Sequence, residues 1–238
     1  RSAPAFIRPY GPKLAAPIRS CDYIWHLSQL HAIQENKCTL GMALSCPKAL
    51  RKRERTATMQ RLKKTVVLVG MMGAGKTAVG TALARDLSVP FRDSDEEIVR
   101  AANRSIAEIF ERDGEAFFRA RETEVLGRLL HGDPCVLSTG GGAFLAAVNR
   151  DLIRKAGVSV WLRVDIDLLW QRVRHKTTRP LLRTANPQET LKALYAARLP
   201  AYSQADLTVD SATDLSVDAM ASRVAEALAT RPDVMETA

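Results

Sequence analysis

The chain has 238 residues, 46% of them hydrophobic, and a formal net charge of +9, which allows one large folded domain with additional segments. The charge is unevenly distributed: residues 1–64 hold 13 Lys/Arg and 3 Asp/Glu, which leaves 22 and 23 for residues 65–238. The larger part is therefore almost neutral, which argues against a nucleic-acid-binding domain, and no apolar run reaches the roughly 18 residues of a membrane helix.

Residues 1–64 show no apolar periodicity, and we expect no fold for this basic extension. Three interpretations stay open: upstream sequence included by an early start assignment, an organellar transit peptide, or a basic segment at 51–64 that binds an acidic partner. Three of the four cysteines lie here, without C-x-x-C spacing, so neither a zinc site nor a disulfide framework is indicated. We expect a reducing compartment: the cytoplasm, or a plastid if this segment is a transit peptide.

From residue 65 the sequence predicts a strand, a glycine-rich loop and a helix. The β-branched run 65–69 is typical of a buried parallel strand. Residues 70–77, Gly-Met-Met-Gly-Ala-Gly-Lys-Thr, fit the pattern G-x-x-x-x-G-K-[ST] and precede a predicted helix at 78–87. In such a loop, backbone N–H groups and the helix N-terminus bind phosphate, Lys76 reaches the β- and γ-phosphates, and Thr77 binds Mg²⁺. The sequence therefore predicts a nucleoside triphosphate site.

Strands and helices alternate over the remaining chain, which predicts an α/β fold with a five-stranded parallel sheet. The four further strands are expected at 89–91, 135–138, 158–164 and 207–209. The further helices are expected at 96–102, at 105–130 with a capping box and a break near Gly114, and at 147–156, 165–173, 188–203 (interrupted at Pro200) and 216–229. A polar loop is expected at 175–187, and residues 231–238 are expected to form a C-terminal tail.

Two short segments directly after predicted strands are candidates for ligand binding. Asp93 and Asp95 would point to the same side of an extended chain, where one could serve Mg²⁺ and the other a second substrate. The alternative is a helix N-terminus, which favours acidic residues. Gly140, Gly141 and Gly142 follow the next strand, and close approach of a ligand to the backbone explains three glycines, while a flexible turn is the alternative.

Three arginines are candidates for binding an anion. Arg119 lies among apolar residues in a predicted helix, Arg198 opens the sequence Arg-Leu-Pro-Ala-Tyr, and Arg179 lies in the polar loop, from which it could close over phosphates. Each of them alone is explained equally well by a solvated surface position.

Taken in order, these elements resemble shikimate kinase, one of the nucleoside monophosphate kinase-like P-loop enzymes, over residues 65 to about 230. The matching features are the phosphate loop, Asp-x-Asp, Gly-Glu-x-x-Phe-Arg-x-x-Glu at 114–122, Ser-Thr-Gly-Gly-Gly, Arg-Pro-Leu-Leu, and Arg-x-Pro-x-Tyr. The resemblance implies a three-layer P-loop kinase fold, with a five-stranded parallel sheet, helices on both faces and a mobile lid at about 175–187. It also implies Mg²⁺-dependent transfer of a phosphoryl group from ATP to the 3-hydroxyl of shikimate.

The resemblance further implies a role for each matching residue. The catalytic residues would be Lys76, Asp95 and Arg179. The ATP contacts would be Gly73, Ala74, Gly75, Lys76, Thr77, Ala78, Arg172 and Arg179. The shikimate contacts would be Asp95, Arg119, Gly140, Gly141, Gly142 and Arg198, and the Mg²⁺ ligands would be Thr77 and Asp93.

Two alternatives stay open at this point: a related small-molecule kinase, such as a gluconate kinase-like enzyme, and a non-catalytic nucleotide-binding relative. The triple glycine together with Arg119 and Arg198 favours a small carboxylate as the substrate. The intact phosphate loop and Asp95 favour catalysis. The expected partners are shikimate and ATP, without nucleic acid or membrane, and we expect a monomer.

Overall fold

The computed structural model describes residues 60–175, 180–182, 184–213 and 215–237. Strands span Gln60–Leu62 (β1), Thr65–Val69 (β2), Phe91–Asp93 (β3), Val136–Ser138 (β4), Gly157–Val164 (β5), Leu207–Ser211 (β6) and Met235–Thr237 (β7). Helices span Lys76–Asp86 (α1), Ser94–Ala102 (α2), Ile106–Leu130 (α3), Ala147–Ala156 (α4), Ile166–Val173 (α5), Pro187–Tyr202 (α6) and Val217–Ala229 (α7). Short 3-10 helices lie at Ala143–Leu145 and Pro180–Leu182. Among the helices of these described ranges, none has the length and apolarity needed to cross a membrane.

Five of the strands form a parallel sheet in the order β3-β4-β2-β5-β6. The central strand β2 is buried at all of its positions, which explains why its Val and Leu residues do not alternate with polar ones. Helices flank the sheet and enclose a continuous apolar core with it. The predicted α/β fold is confirmed. Because parallel strands share one direction, the carboxyl ends of β2, β3 and β4 meet at a single edge, where open α/β sheets bind ligands.

Helix α3 has the predicted start and the predicted break. Ser105 caps its N-terminus in a capping box with Glu108, whose side chain accepts a hydrogen bond from the Ser105 N–H at 2.8 Å. Gly114 has φ 80° and ψ 173°, which is not a helical conformation, so the helix consists of two segments that meet at a kink. The second segment carries Arg119 towards the carboxyl edge of the sheet.

Helix α6 differs from its prediction because it continues through Pro200 to Tyr202. Pro200 lies two residues before the end of the helix and lacks the N–H that would donate to the carbonyl four residues earlier. The end of the helix is closed by the Ser203 N–H, which donates to the Leu199 carbonyl oxygen at 2.9 Å. Arg198 and Tyr202 therefore stay four residues apart on one face of a continuous helix.

A second sheet of two strands joins the two ends of the described chain. β1 pairs antiparallel with β7, and Leu62, Val234 and Met235 are buried beside it. The prediction that residues 60–64 lack a fold and that 231–237 form a tail is therefore wrong. Strands of three residues are too short to show a period of two, so local pattern could not reveal them. The rest of the predicted extension, residues 1–59, lies outside the described residues.

Candidate active site

The loop between β2 and α1 has a conformation that requires glycine. Positive φ angles between +83° and +139° occur at Gly70, Gly73 and Gly75. A Cβ on Gly73 would also lie 2.6 Å from Cγ1 of Val173. Lys76 folds back over the loop, where its Nζ donates to the carbonyl oxygens of Gly70 at 2.9 Å and Met71 at 3.1 Å. The loop therefore presents both backbone N–H groups and an ammonium group to one side.

A cavity of about 530 Å³ opens in front of this loop at the carboxyl edge of the sheet. Most of the predicted site residues line it: Gly73, Ala74, Gly75, Lys76, Thr77, Ala78, Asp93, Asp95, Gly140, Gly141 and Arg172. Arg119 and Arg198 lie beside it, next to Gly142 and Gly141 respectively. Arg179 lies outside the described residues, as do parts of the predicted lid, so its position over the phosphates stays a prediction.

Asp93 and Asp95 lie at the junction of β3 and α2. Asp93 is the N-cap: its Oδ1 accepts from the Asp95 N–H at 3.0 Å, and its Oδ2 accepts from Thr77 Oγ1 at 3.4 Å. Of the two alternatives that the sequence left open, the structure shows the helix N-terminus, because capping turns the chain into a helix directly after Asp93. Both carboxylates nevertheless line the cavity. Asp93 therefore caps the helix with one carboxylate oxygen and contacts Thr77 with the other.

The triple glycine lets two side chains approach the backbone closely. An ideal Cβ on Gly140 would lie 2.8 Å from Oδ1 of Asp95, and one on Gly142 would lie 2.7 Å from Nη1 of Arg119. The Gly140 N–H also donates to Ser94 Oγ at 3.3 Å. Close approach, rather than freedom of a turn, accounts for these glycines.

The middle glycine binds two donors from α6. The Gly141 carbonyl oxygen accepts from Tyr202 Oη at 2.6 Å and from Arg198 Nη1 at 3.2 Å. Arg198 was predicted as a site residue from the Arg-x-Pro-x-Tyr pattern. Tyr202 was not, although it belongs to the same pattern, because its contact depends on how α6 packs against the loop.

Arg119 lies between two glutamates of its own helix. Its Nη1 donates to Glu122 Oε2 at 2.9 Å, and its Nη2 donates to Glu115 Oε1 at 3.2 Å. The Glu122 side chain is 2% exposed, and burial raises its pKa against the opposing effect of Arg119. Sequence reasoning did not assign Glu122 to the site. The available signal was its spacing of three residues from Arg119, which places both side chains on one helix face.

The opposite end of the cavity combines the predicted Arg172 with residues of β6 and α7 that sequence reasoning did not single out. Arg172 Nη1 donates to the Gly73 carbonyl oxygen at 3.5 Å, and its Nη2 donates to Ser211 Oγ at 3.4 Å. The end of β6 and the first part of α7 complete this wall with Ser211, Leu215, Ser216, Val217 and Met220. An apolar wall beside a guanidinium group suits a planar aromatic ring.

Comparison with known proteins assigns this arrangement to a family. The family model described as shikimate kinase matches residues 72–229. The chain belongs to the shikimate kinase family. A shikimate kinase from Cereibacter sphaeroides is 72% identical over 179 residues, which cover 75% of this chain and 89% of that protein. A shikimate kinase from Ruegeria pomeroyi is 68% identical over 175 residues, which cover 74% of this chain and 90% of that protein.

A solved structure agrees with this assignment. The shikimate kinase from Acinetobacter baumannii in complex with shikimate is 39% identical, with a TM-score of 0.66 over 70% of this chain and 93% of that chain. Every predicted site residue lies within the span that matches the family model. The family predicted from six ordered motifs is confirmed, and with it the class of enzyme, a kinase that phosphorylates an alcohol.

Proposed function

We propose that the chain transfers the γ-phosphoryl group of ATP to the 3-hydroxyl of shikimate, giving shikimate 3-phosphate and ADP. One observation carries this proposal: Arg119 and Arg198 meet at the triple glycine, beside Asp95 and in front of the phosphate loop. A small acceptor with one carboxylate and several hydroxyl groups suits these groups, because guanidinium binds carboxylate in a planar, bidentate manner. The Acinetobacter baumannii relative, solved in complex with shikimate, supports the same acceptor.

The phosphate loop forms the nucleotide end of the proposed site. The N-terminus of α1, which begins at Lys76, adds a partial positive charge to the loop N–H groups. Lys76 binds the β- and γ-phosphates, and Arg172 packs against the base opposite the apolar wall. Arg179 meets the transferred phosphoryl group, an assignment that rests on its place in the Arg-Pro-Leu-Leu pattern.

Thr77 and Asp93 fit a magnesium ion. Their side-chain oxygens lie 3.4 Å apart beside the loop, and both are the hard donors that Mg²⁺ prefers. They would hold the ion directly or through water, because Mg²⁺ in kinases takes one or two protein ligands and fills its shell with phosphate and water. When bound, Mg²⁺ supplies positive charge that offsets the charge of the β- and γ-phosphates.

Asp95 acts on the acceptor. The acceptor oxygen attacks the γ-phosphorus, the bond from that phosphorus to the bridging oxygen breaks, and the hydroxyl proton passes to the Asp95 carboxylate. Phosphoryl transfer depends mostly on positioning and charge stabilisation. Lys76 and the arginines supply the charge, while the glycine segment supplies a backbone surface that the acceptor can approach.

Two substitutions test the two ends of this site. Lys76→Ala should abolish turnover, and the melting temperature should stay that of the wild type.

Asp95→Asn should lower kcat about 10²- to 10⁴-fold, and ATP binding should be retained. Lys192→Ala is the matched control, because Lys192 is exposed on α6 and pairs only with Glu189 among the described residues. Near-normal ADP formation by Lys76→Ala would remove the nucleotide-site assignment, and a normal kcat in Asp95→Asn would remove the proton acceptor.

The monomeric state and the cytoplasmic location stay predictions. So does the absence of nucleic-acid and membrane partners, which rests on the near-neutral charge of residues 65–238 and on their lack of a long apolar run. Sedimentation equilibrium would measure the first of these directly.

A further inference from the structure

Tyr202 lies at the end of α6 with its ring in the core and its hydroxyl at the glycine segment. The residue is 1% exposed, and its ring stacks on Trp161 of β5 with 6.0 Å between the centroids and 26° between the planes. The hydroxyl oxygen lies 4.0 Å from Sδ of Met71 in the phosphate loop. Because contacts from the sheet and from the loop hold the ring, the hydroxyl has one defined position.

The hydroxyl and Arg198 act on the same carbonyl group. Tyr202 Oη donates to the Gly141 carbonyl oxygen at 2.6 Å, and Arg198 Nη1 donates to it at 3.2 Å. Burial raises the pKa of Tyr202, against a hydrogen bond and a charge effect from Arg198. The phenol therefore stays protonated at neutral pH and remains a donor.

The helix geometry explains why these two donors meet. Arg198 and Tyr202 are four residues apart, and a helix that continues through Pro200 places them on one face. A helix that ended before Pro200 would separate them. The Arg-x-Pro-x-Tyr pattern thus supplies a pair of donors for one backbone oxygen.

The direction of the Gly141 carbonyl sets the direction of the whole glycine segment. The peptide between Gly141 and Gly142 is planar and trans, so the Gly142 N–H points away from the side on which the carbonyl is held. The flanking glycines approach Asp95 and Arg119 within distances that leave no room for a Cβ. Rotation of this peptide would therefore redirect the Gly142 N–H, and Gly142 is the residue that Arg119 approaches.

We propose that the Tyr202 hydroxyl is a positioning group for the acceptor. It holds the Gly141 carbonyl, and through it the glycine segment and the guanidinium of Arg198, in the arrangement that binds the acceptor carboxylate. This inference rests on the proposed function of the cavity. It assigns Tyr202 no contact with the reacting atoms.

Tyr202→Phe isolates the hydroxyl, because the ring, its volume and its stacking on Trp161 are kept. Loss of one hydrogen bond, with Arg198 still donating to the carbonyl, should raise the KM for shikimate about two- to tenfold. The KM for ATP, the affinity for ADP and the melting temperature should stay close to those of the wild type. A purely structural hydroxyl would show the opposite pattern, a lower melting temperature without a selective change in the shikimate KM.

Tyr195→Phe is the matched control. It removes a hydroxyl from the same helix, but Tyr195 lies near Arg163 and Asp210 rather than near Gly141. Its shikimate KM should equal that of the wild type. A comparable rise in both variants would overturn the proposal, because the effect would then belong to α6 in general.

Combining Tyr202→Phe with Arg198→Ala tests whether the hydroxyl acts through the Gly141 carbonyl, to which both side chains donate. If the hydroxyl acts through the carbonyl that Arg198 also binds, the double variant should lose less than the product of the two separate losses. Multiplicative losses would overturn the proposal. So would an unchanged shikimate KM in Tyr202→Phe, or a variant that no longer binds ADP. A wild type without shikimate-dependent ADP formation would instead refute the proposed function itself.

Discussion

At the scale of single residues, the partners of Arg119 differ in how firmly they hold it. Glu122 is 2% exposed, while Glu115 is 68% exposed. The exposed pair of Arg119 with Glu115 contributes little to stability, and its partners can separate readily. The pair with the buried Glu122 stays formed, because separation would leave the glutamate charge in an apolar environment. Glu122 therefore holds one side of the guanidinium, and in the proposed site the edge that now binds Glu115 would bind the substrate carboxylate instead.

Arg119→Ala should raise the KM for shikimate strongly and leave the KM for ATP almost unchanged. Loss of one partner from a desolvated charge pair costs about 2–5 kcal/mol, on the order of tens to thousands of fold in kcat/KM. Steady-state kinetics with each substrate varied in turn would measure both constants.

Arg121→Ala provides the control for that change. Arg121 lies on the same helix, its side chain is 49% exposed, and it pairs with Glu124 at the surface. Such a change costs less than about 0.5 kcal/mol. If Arg119→Ala and Arg121→Ala gave the same shikimate KM, the carboxylate assignment of Arg119 would be lost.

Residue roles could be predicted where a motif carries the chemistry in consecutive positions. Lys76 and Thr77 are of this kind, and the structure places both at the cavity. Tyr202 and Ser211 could not be assigned in the same way, because their partners Gly141 and Arg172 are distant in the sequence, and Glu122 could not because its burial is not visible in a local pattern. Burial and long-range contacts are properties of the packed chain, not of a local pattern.

At the scale of elements, α3 depends on one glycine. Gly114 combines a φ of +80° with a ψ of 173°, a region that is almost restricted to glycine. A Cβ there would meet no heavy atom within 4 Å, so backbone conformation alone requires the glycine. The kink sets the direction of the segment that carries Arg119.

Gly114→Ala should lower the stability of the fold by about 1–3 kcal/mol, the cost of a strained backbone conformation. Gly127→Ala makes the same chemical change in the same helix, also with no heavy atom within 4 Å of the new Cβ, but its φ is not positive. It should raise stability by about 0.4–1 kcal/mol. Urea unfolding would measure both. Equal effects of the two changes would contradict the role of the kink.

The elements themselves were predicted well where they are long or carry clear end signals. The strand at Thr65–Val69 and the helix at Ala147–Ala156 coincide with their predictions, and the capping box located the start of α3. The break expected at Pro200 was wrong: the helix continues through Pro200 and ends two residues later, at Tyr202.

At the scale of the whole molecule, the two ends of the described chain hold each other. Antiparallel pairing of β1 with β7 is joined by the ion pair of Lys64 with Asp233 at 3.0 Å. Hydrogen bonds from Arg231 and Lys64 hold the pKa of Asp233 well below its usual range. The folded unit therefore extends beyond the span expected from the alternating pattern, which could predict the parallel sheet but not a contact between the ends.

Two truncations separate the extension from this small sheet. Removal of residues 1–58 should leave the melting temperature and activity nearly unchanged, because their sequence shows no apolar periodicity. Removal of residues 1–64 should lower the melting temperature, because it deletes β1 and with it the buried Leu62, whose side chain is worth about 2–5 kcal/mol. Equal melting temperatures for the two truncations would show that the β1–β7 pair adds no stability.

The most direct measurement of the central claim is ADP formation from ATP and Mg²⁺, with and without shikimate, followed by mass analysis of the acceptor. The arrangement of Asp95, Arg119 and Arg198 around the triple glycine predicts ADP formation that depends on shikimate and yields shikimate with one added phosphoryl group. Gluconate, which also carries a carboxylate and hydroxyl groups, should give only the background rate. ADP formation that is independent of shikimate, or equally fast with gluconate, would contradict the account.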